Sequence, residues 1–372
     1  MKKILLATSA LVAAALVSGA ANAAETPKIT LGGFSTFQAG HESGNDLKPA
    51  GGNRNGAFRT DNVVTVRVAG KSDKGLGYGA GIDLEADTSD NADNAGVNAE
   101  RTFVYVEGAW GKLQGGSDLG VAKTMKVDAS SIARATGGID GDFTYFTSAG
   151  TANLLATPDL TLDYGAGVTG DESTQTANKI SYYTPRFAGF QAGVSYLPDT
   201  ASKGQTVSRT TGDAKNVVLG ALNYEGKFSN VSVNVGATGE YGVAVAATDN
   251  NLRTYQAGAK VGYMGFSLAG SYANLGDSLR AKGTGSDSSN YFYTLGAAYE
   301  TGPFGASVTY LKSNYDNGAT NNKFSNISVG VDYKVAAGLT PYAEVNFIDQ
   351  NPTASVNDNK STVVLVGTQL AF

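Results

Sequence analysis

The 372 residues are 41% hydrophobic and only 16% charged, with 49 Gly, one His and no Cys. An average soluble domain is about 25% charged and roughly 7% Gly, so this chain is poor in charge and near double in glycine. The absence of Cys excludes disulfide frameworks, zinc ribbons and thiol nucleophiles, a single His excludes a two-His metal site, and a formal charge of −5 offers no basic face to nucleic acid.

The chain opens on Met1-Lys2-Lys3, an apolar run from Ile4 to Val17, and Ala21-Asn22-Ala23. A positive start, a short apolar stretch and a small-residue cleavage site predict a signal peptide over residues 1–23. The run is shorter than the ~20 residues of a spanning helix. An exported chain over residues 24–372 follows, and loss of Lys2 and Lys3 makes it more acidic still.

No later stretch approaches 18 apolar residues, so a membrane crossing would have to be made by a closed barrel. Period-two alternation runs along the chain. Phe190, Ala192, Val194 and Tyr196 alternate with Gln191, Gly193 and Ser195, and Val231, Val233, Val235 and Ala237 alternate with Ser232, Asn234, Gly236 and Thr238. Tyr255 to Tyr263 and Ile327 to Val335 repeat the pattern. A soluble sandwich alternates in the same way. Aromatic placement favours the barrel: Phe190 with Tyr196, Tyr255 with Tyr263, Tyr291 with Tyr299 and Phe304 with Tyr310 mark strand ends. At ~3.3 Å per residue these pairs stand roughly 20 to 27 Å apart, close to the ~25 Å outward apolar band of a transmembrane barrel.

In chain order, the alternation predicts strands at 28–41, 57–71, 76–88, 99–109, 112–117, 178–185, 190–197 and 216–228. The second half adds 231–242, 252–263, 266–276, 290–300, 304–315, 324–335, 340–349 and 361–372. Tight turns such as Asp73-Lys74-Gly75, Ala188-Gly189, Met264-Gly265 and Gly302-Pro303 alternate with longer polar links. The fold expected is an all-β, antiparallel up-and-down transmembrane barrel of sixteen strands, wide enough to enclose water. The link over residues 118–177 is far longer than a normal connection, and Ile132, Ile139, Phe143, Tyr145, Phe146, Leu154 and Leu155 make it too apolar for a disordered tail. It is expected to pack inside the barrel.

Three segments carry a family likeness: the opening strand Ile29-Thr30-Leu31-Gly32-Gly33-Phe34, the hairpin from Asn178 through Tyr182, Tyr183, Pro185 and Phe187 to Phe190, and the terminal Phe372. With them the chain resembles the general diffusion porins of Gram-negative outer membranes, of the alphaproteobacterial and neisserial-like type. Arg186 departs from the small polar or acidic residue frequent in that family. The resemblance implies a homotrimer of sixteen-stranded barrels in outer-membrane lipid and lipopolysaccharide, each with an inward-folded third loop. It also implies that Phe372 serves barrel closure and recognition by the barrel-assembly machinery.

For such a channel, Asp140 and Asp142, flanking Gly141, are the expected acidic side of the constriction, with Asp128 next; an Asx-rich surface turn is the alternative for the pair. Arg59 and Arg67 fall on the parity opposite Val64, Val66 and Val68 and should face them across the lumen. Arg59 has lipopolysaccharide phosphates as an alternative partner. Arg101 is a third basic candidate, although Phe103 and Tyr105 share its parity. Asp83, Glu85 and Lys179 are further expected wall residues. No cofactor is expected beyond Ca²⁺ held weakly by loops such as Asp87 to Asn94, which lack a fixed motif. Net acidity hints at cation preference. The expected function is passive diffusion of small hydrophilic solutes and ions. A sugar-specific channel and a loop-displaying adhesin are the alternatives, while His41 without any G-x-S-x-G context argues against a hydrolase.

Overall fold

The computed structural model describes residues 25–44, 55–87, 98–147, 154–160, 176–205, 213–283, 290–316, 321–351 and 359–372. The expected leader and all of Asp87 to Asn94 except Asp87 lie outside the described residues. Sixteen strands close into one antiparallel barrel in which every neighbour in sequence is a neighbour in space, and β16 pairs back onto β1. They are β1 (Glu25–Ser43), β2 (Gly56–Lys71), β3 (Gly77–Glu85), β4 (Asn98–Gly108), β5 (Gly111–Ser117), β6 (Asn178–Tyr183), β7 (Phe190–Asp199) and β8 (Ala214–Phe228). The second half is β9 (Val231–Ala244), β10 (Leu252–Tyr263), β11 (Phe266–Gly276), β12 (Asn290–Thr301), β13 (Phe304–Asp316), β14 (Asn321–Tyr333), β15 (Leu339–Asn351) and β16 (Asn359–Ala371).

All sixteen expected strands are present, and the boundary differences have local causes. β6 stops before Pro185, which has no N–H for the ladder. β8 starts earlier than expected because Asn216, at φ 50°, forms a bulge where the register shifts between Lys215 and Val218. In the tight turn Met264-Gly265 both residues have positive φ, 47° and 85°, the twist that joins two strands through two residues. The closing seam ends where Phe372 N–H donates to Gly33 O at 3.1 Å and Gly33 N–H donates to Phe372 O at 3.0 Å. Gly33 has no room for a Cβ, which would stand 2.1 Å from Val63 O.

The faces are inverted relative to a water-soluble sandwich. Ile29 is 70% exposed and Leu268 63%, whereas Thr294, Asn326 and Asn346 on the opposite parity are fully covered. Rings collect in two belts on the outside. Phe37 stacks on Phe58 and Tyr272 on Tyr291 toward the rim of long loops, while Phe190 packs on Tyr224 and Phe266 on Tyr299 at the rim of tight turns. Among the described residues no helix is long and apolar enough to cross a membrane. The apolar core lies within the barrel: Phe143 of the inner loop stacks on Phe324 at 6.3 Å, among Phe292, Leu311 and Leu365. Alternation alone predicts small or polar side chains at these inward positions. These are apolar because the loop, not water, covers them.

Candidate functional site

The described part of the link after β5 folds into the lumen and follows the inner wall. Its ends are clasped together: Ser117 Oγ donates to Thr176 O, and the Lys179 ammonium donates to the carbonyls of Asp118 and Ala177. A single helical turn, α1 (Val121–Thr124), is followed by 3₁₀ turns at Ala129–Ile132, Gly138–Asp140 and Asp142–Tyr145. Irregular backbone of this kind leaves N–H groups without partners, and the wall supplies acceptors. Val121 N–H donates to Ser195 Oγ at 3.1 Å, Ala129 N–H to Thr294 Oγ1 at 3.1 Å, and Arg134 N–H to Ser307 Oγ at 2.8 Å. The buried Glu344 carboxylate accepts from Thr136 N–H at 3.1 Å, Thr136 Oγ1 at 2.9 Å and Gly138 N–H at 3.2 Å.

Glycine supplies the space. A Cβ on Gly258 of β10 would stand 1.9 Å from Val127 O, and one on Gly236 of β9 would stand 2.8 Å from Met125 O. Inward glycines on β7, β12, β14 and β1 (Gly193, Gly296, Gly330 and Gly40) meet Val121, Ala129, Arg134 and Phe146 in the same way. The glycine excess in the composition is thus partly a track in which the loop backbone is seated.

The expected acidic residues separate into two settings. Asp142 faces the second strand: Arg59 reaches it at 3.4 Å and Asp61 at 2.9 Å, and Gln38 Nε2 donates to Asp142 at 2.9 Å. Asp140 instead has the loop's own Lys123 at 3.8 Å. Asp128 is turned into the loop, not toward the lumen, which corrects its expected place. It accepts from Ser130 N–H to cap the Ala129–Ile132 turn and pairs with Lys126 at 2.8 Å. Lys123 and Lys126 also share Asp159, at 2.5 and 2.7 Å. Burial by itself would lower the Lys126 ammonium, but Asp128, Asp159 and Asp140 together hold it well above its usual value. Burial likewise works to raise the Asp128 carboxyl, and Lys126 with Ser130 overrides it, leaving it below the usual carboxylate range.

On the wall, Arg67 and Arg101 converge on Asp83, at 2.5 and 2.8 Å, and Arg101 also lies 3.6 Å from Asp118. Arg67 is the exposed member, with 41% of its side chain accessible. Asp83 is wholly covered between the two guanidiniums and presents no open charge, so its expected place as an acidic wall residue is revised. Glu85 stands at the long-loop end of β3, on the inward parity. Lys179 is not a wall cation either, being buried in the clasp at the loop's base. His41 lies on the outer face of β1. Lys123, Lys126 and Asp159 stand outside the expected site residues, although Lys123, Lys126 and Asp128 within six residues signal pairing inside the loop. Glu344 gave no such signal, since its loop partners Thr136 and Gly138 lie about two hundred residues away in the chain.

A family model described as Gram-negative porin matches residues 7–353. The chain belongs to that family. This porin is 27% identical to the outer membrane porin protein 32 of Delftia acidovorans, across 99% of this chain and 95% of that protein. An uncharacterized protein of Rickettsia typhi is also 27% identical, with 100% of both chains covered. Among solved structures, the anion-selective porin from Comamonas acidovorans matches with a TM-score of 0.61 at 18% identity, covering 93% of this chain and 100% of that one. A triple mutant of Rhodopseudomonas blastica porin matches at 0.56 and 16%, with the same coverage. The solved structures establish the shared barrel. Family and Delftia relative place the porin as a channel protein of the Gram-negative outer membrane.

Opposite the seated loop, the porin's β2–β5 wall carries inward rings. Phe103 and Tyr105 lie over Gly81 and Gly79, whose missing side chains make room for them. Lys112 caps both rings, 5.9 and 4.8 Å from their centres, and Arg67 stands 5.6 Å from that of Phe103.

Proposed function

We propose that the channel passes small hydrophilic solutes and ions by passive diffusion, sieved by the loop over residues 118–177. The observation that carries this reading is the lining: polar side chains and a hydrogen-bonded loop inside, apolar side chains and ring belts outside. Arg67 and Lys112 give the wall its cations, and Asp142 of the loop brings an acidic charge beside Arg59. A cleaved leader over residues 1–23, a homotrimer in lipopolysaccharide-bearing membrane, and assembly through the strand ending in Phe372 belong to the same proposal. Sugar specificity would call for open ring faces in the lumen, and Phe103 and Tyr105 have theirs covered by Gly wall and Lys112. Single-channel recording in planar bilayers tests the reading. A large ohmic conductance without sugar block is expected; sugar block would favour a specific channel, and no conductance a display protein.

A further inference from the structure

Between the inner loop and the wall toward the tight-turn rim lies a cavity of about 440 Å³, within the range of small-ligand sites. Its wall is one cross-strand row: Asp61 on β2 faces Thr36 on β1, Thr36 faces Gln369 on β16, and Gln369 faces Thr340 on β15. At ~4.8 Å between strands the row is about 14 Å long. Loop residues Ala133–Thr136 form the other side. Toward the long-loop rim the space is bridged by Gln38, which donates to Asp142 at 2.9 Å and accepts from Tyr342 Oη at 3.1 Å. Gly367 makes that bridge possible, since a Cβ there would stand 2.5 Å from Tyr342 Oη.

At the bridged end the Arg59 guanidinium serves two carboxylates, Asp61 at 2.9 Å and Asp142 at 3.4 Å. At the other end the charges are matched: Arg134 has Asp332 at 2.8 Å and Glu300 at 3.0 Å, and Lys334 shares Glu300 at 3.3 Å. The Asp61 side chain is only 9% exposed; its Oδ2 takes the Arg59 bond, and among the described residues its covered Oδ1 has no hydrogen-bond partner. A buried carboxylate oxygen lacking a donor is costly, and a donor that brings positive charge satisfies it most strongly. Thr36 and Gln369 offer further acceptors along the row, and the Phe34 and Tyr342 rings also line the cavity.

We propose that this alcove binds solutes carrying a protonated primary amine, the ammonium donating to Asp61 and its neighbours in the row while the alkyl part lies along Phe34 and Tyr342. The proposal rests on the channel reading and adds a solute class to it. The test uses the full chain folded in detergent, with n-butylammonium as probe and saturation-transfer NMR as readout. Saturable binding is expected in the unaltered protein, weakened about tenfold or more by Asp61→Asn. Thr36→Val, which leaves both carboxylates in place, is expected to weaken it by a smaller factor. n-Butanoate, of like shape and opposite charge, is expected not to bind. Absent butylammonium binding, equal binding by Asp61→Asn, or equal binding of butanoate overturns the site. Ion conductance of the same preparation separates the two readings: a conducting channel that ignores amines sinks only the alcove, whereas a silent one sinks the channel itself.

Discussion

Arg67 and Lys126 show how one charge type takes opposite work in this lumen. Arg67 keeps 41% of its side chain accessible beside Asp83, so in the proposed channel its charge is open to passing ions. Arg67→Glu is expected to move the reversal potential in a KCl gradient toward cation preference; an unmoved potential would place Arg67 outside the conduction path. Lys126 is enclosed by Asp128 and Asp159, and Lys126→Met would take the cation from the buried Asp128 while Asp159 keeps Lys123, a change that costs about 3–5 kcal/mol. The same cluster sets a pH window. Asp128, held below the usual carboxylate value of about 4, stabilises the loop fully above that value, and the contribution disappears as pH falls through its lower folded value. Lys126, held well above about 10.4, contributes fully below that value and is lost as pH rises through its higher folded one. The stability difference between the unaltered porin and Lys126→Met should therefore stay level from roughly pH 5 to 10 and shrink below about pH 4; a difference that vanished near neutrality would contradict the pairing. Parity placed Arg59 and Arg67 on the inward side correctly, because side-chain direction in a strand follows from position alone. Parity says nothing of partners, so Asp83, Asp128 and Lys179 read as open charges when they are enclosed ones.

At the scale of the element, the strands were legible and the loop was not. Alternation and tight-turn residues are local signals, and they gave all sixteen strands to within a few residues, failing where a bulge at Asn216 shifted the register. The path of residues 118–147 depends on acceptors supplied by Ser195, Thr294, Ser307 and Glu344, which no window along the chain brings together. The glycine track is the physical complement of that path. Gly258→Ala would place a methyl 1.9 Å from Val127 O, and overpacking of this kind costs about 1–3 kcal/mol. The loop would have to lift into the lumen, so single-channel conductance is expected to fall and fluctuate; an unchanged, quiet channel would show that the backbone is not seated there.

For the whole molecule, the inversion of faces is what the composition announced: low charge, abundant glycine and apolar residues on one parity, with no run long enough for a spanning helix. What composition left hidden is that the inner loop touches successive wall strands from β7 round to β1. Removing residues 120–147 is expected both to admit larger sugars in liposome swelling and to lower the unfolding temperature; wider passage with unchanged thermal stability would make the loop a passenger on the wall. One place on that circuit has a special consequence. Near its end the loop crosses the seam between β16 and β1: the Phe146 ring lies on Gly40, Gln38 holds Asp142, and Thr147 Oγ1 donates to Glu42 at 3.0 Å. The weld between first and last strands is the one join no hairpin secures, and here it is buttressed from within by a segment made a third of the way along the chain. A defect in that buttress should therefore be felt first where the cylinder is shut.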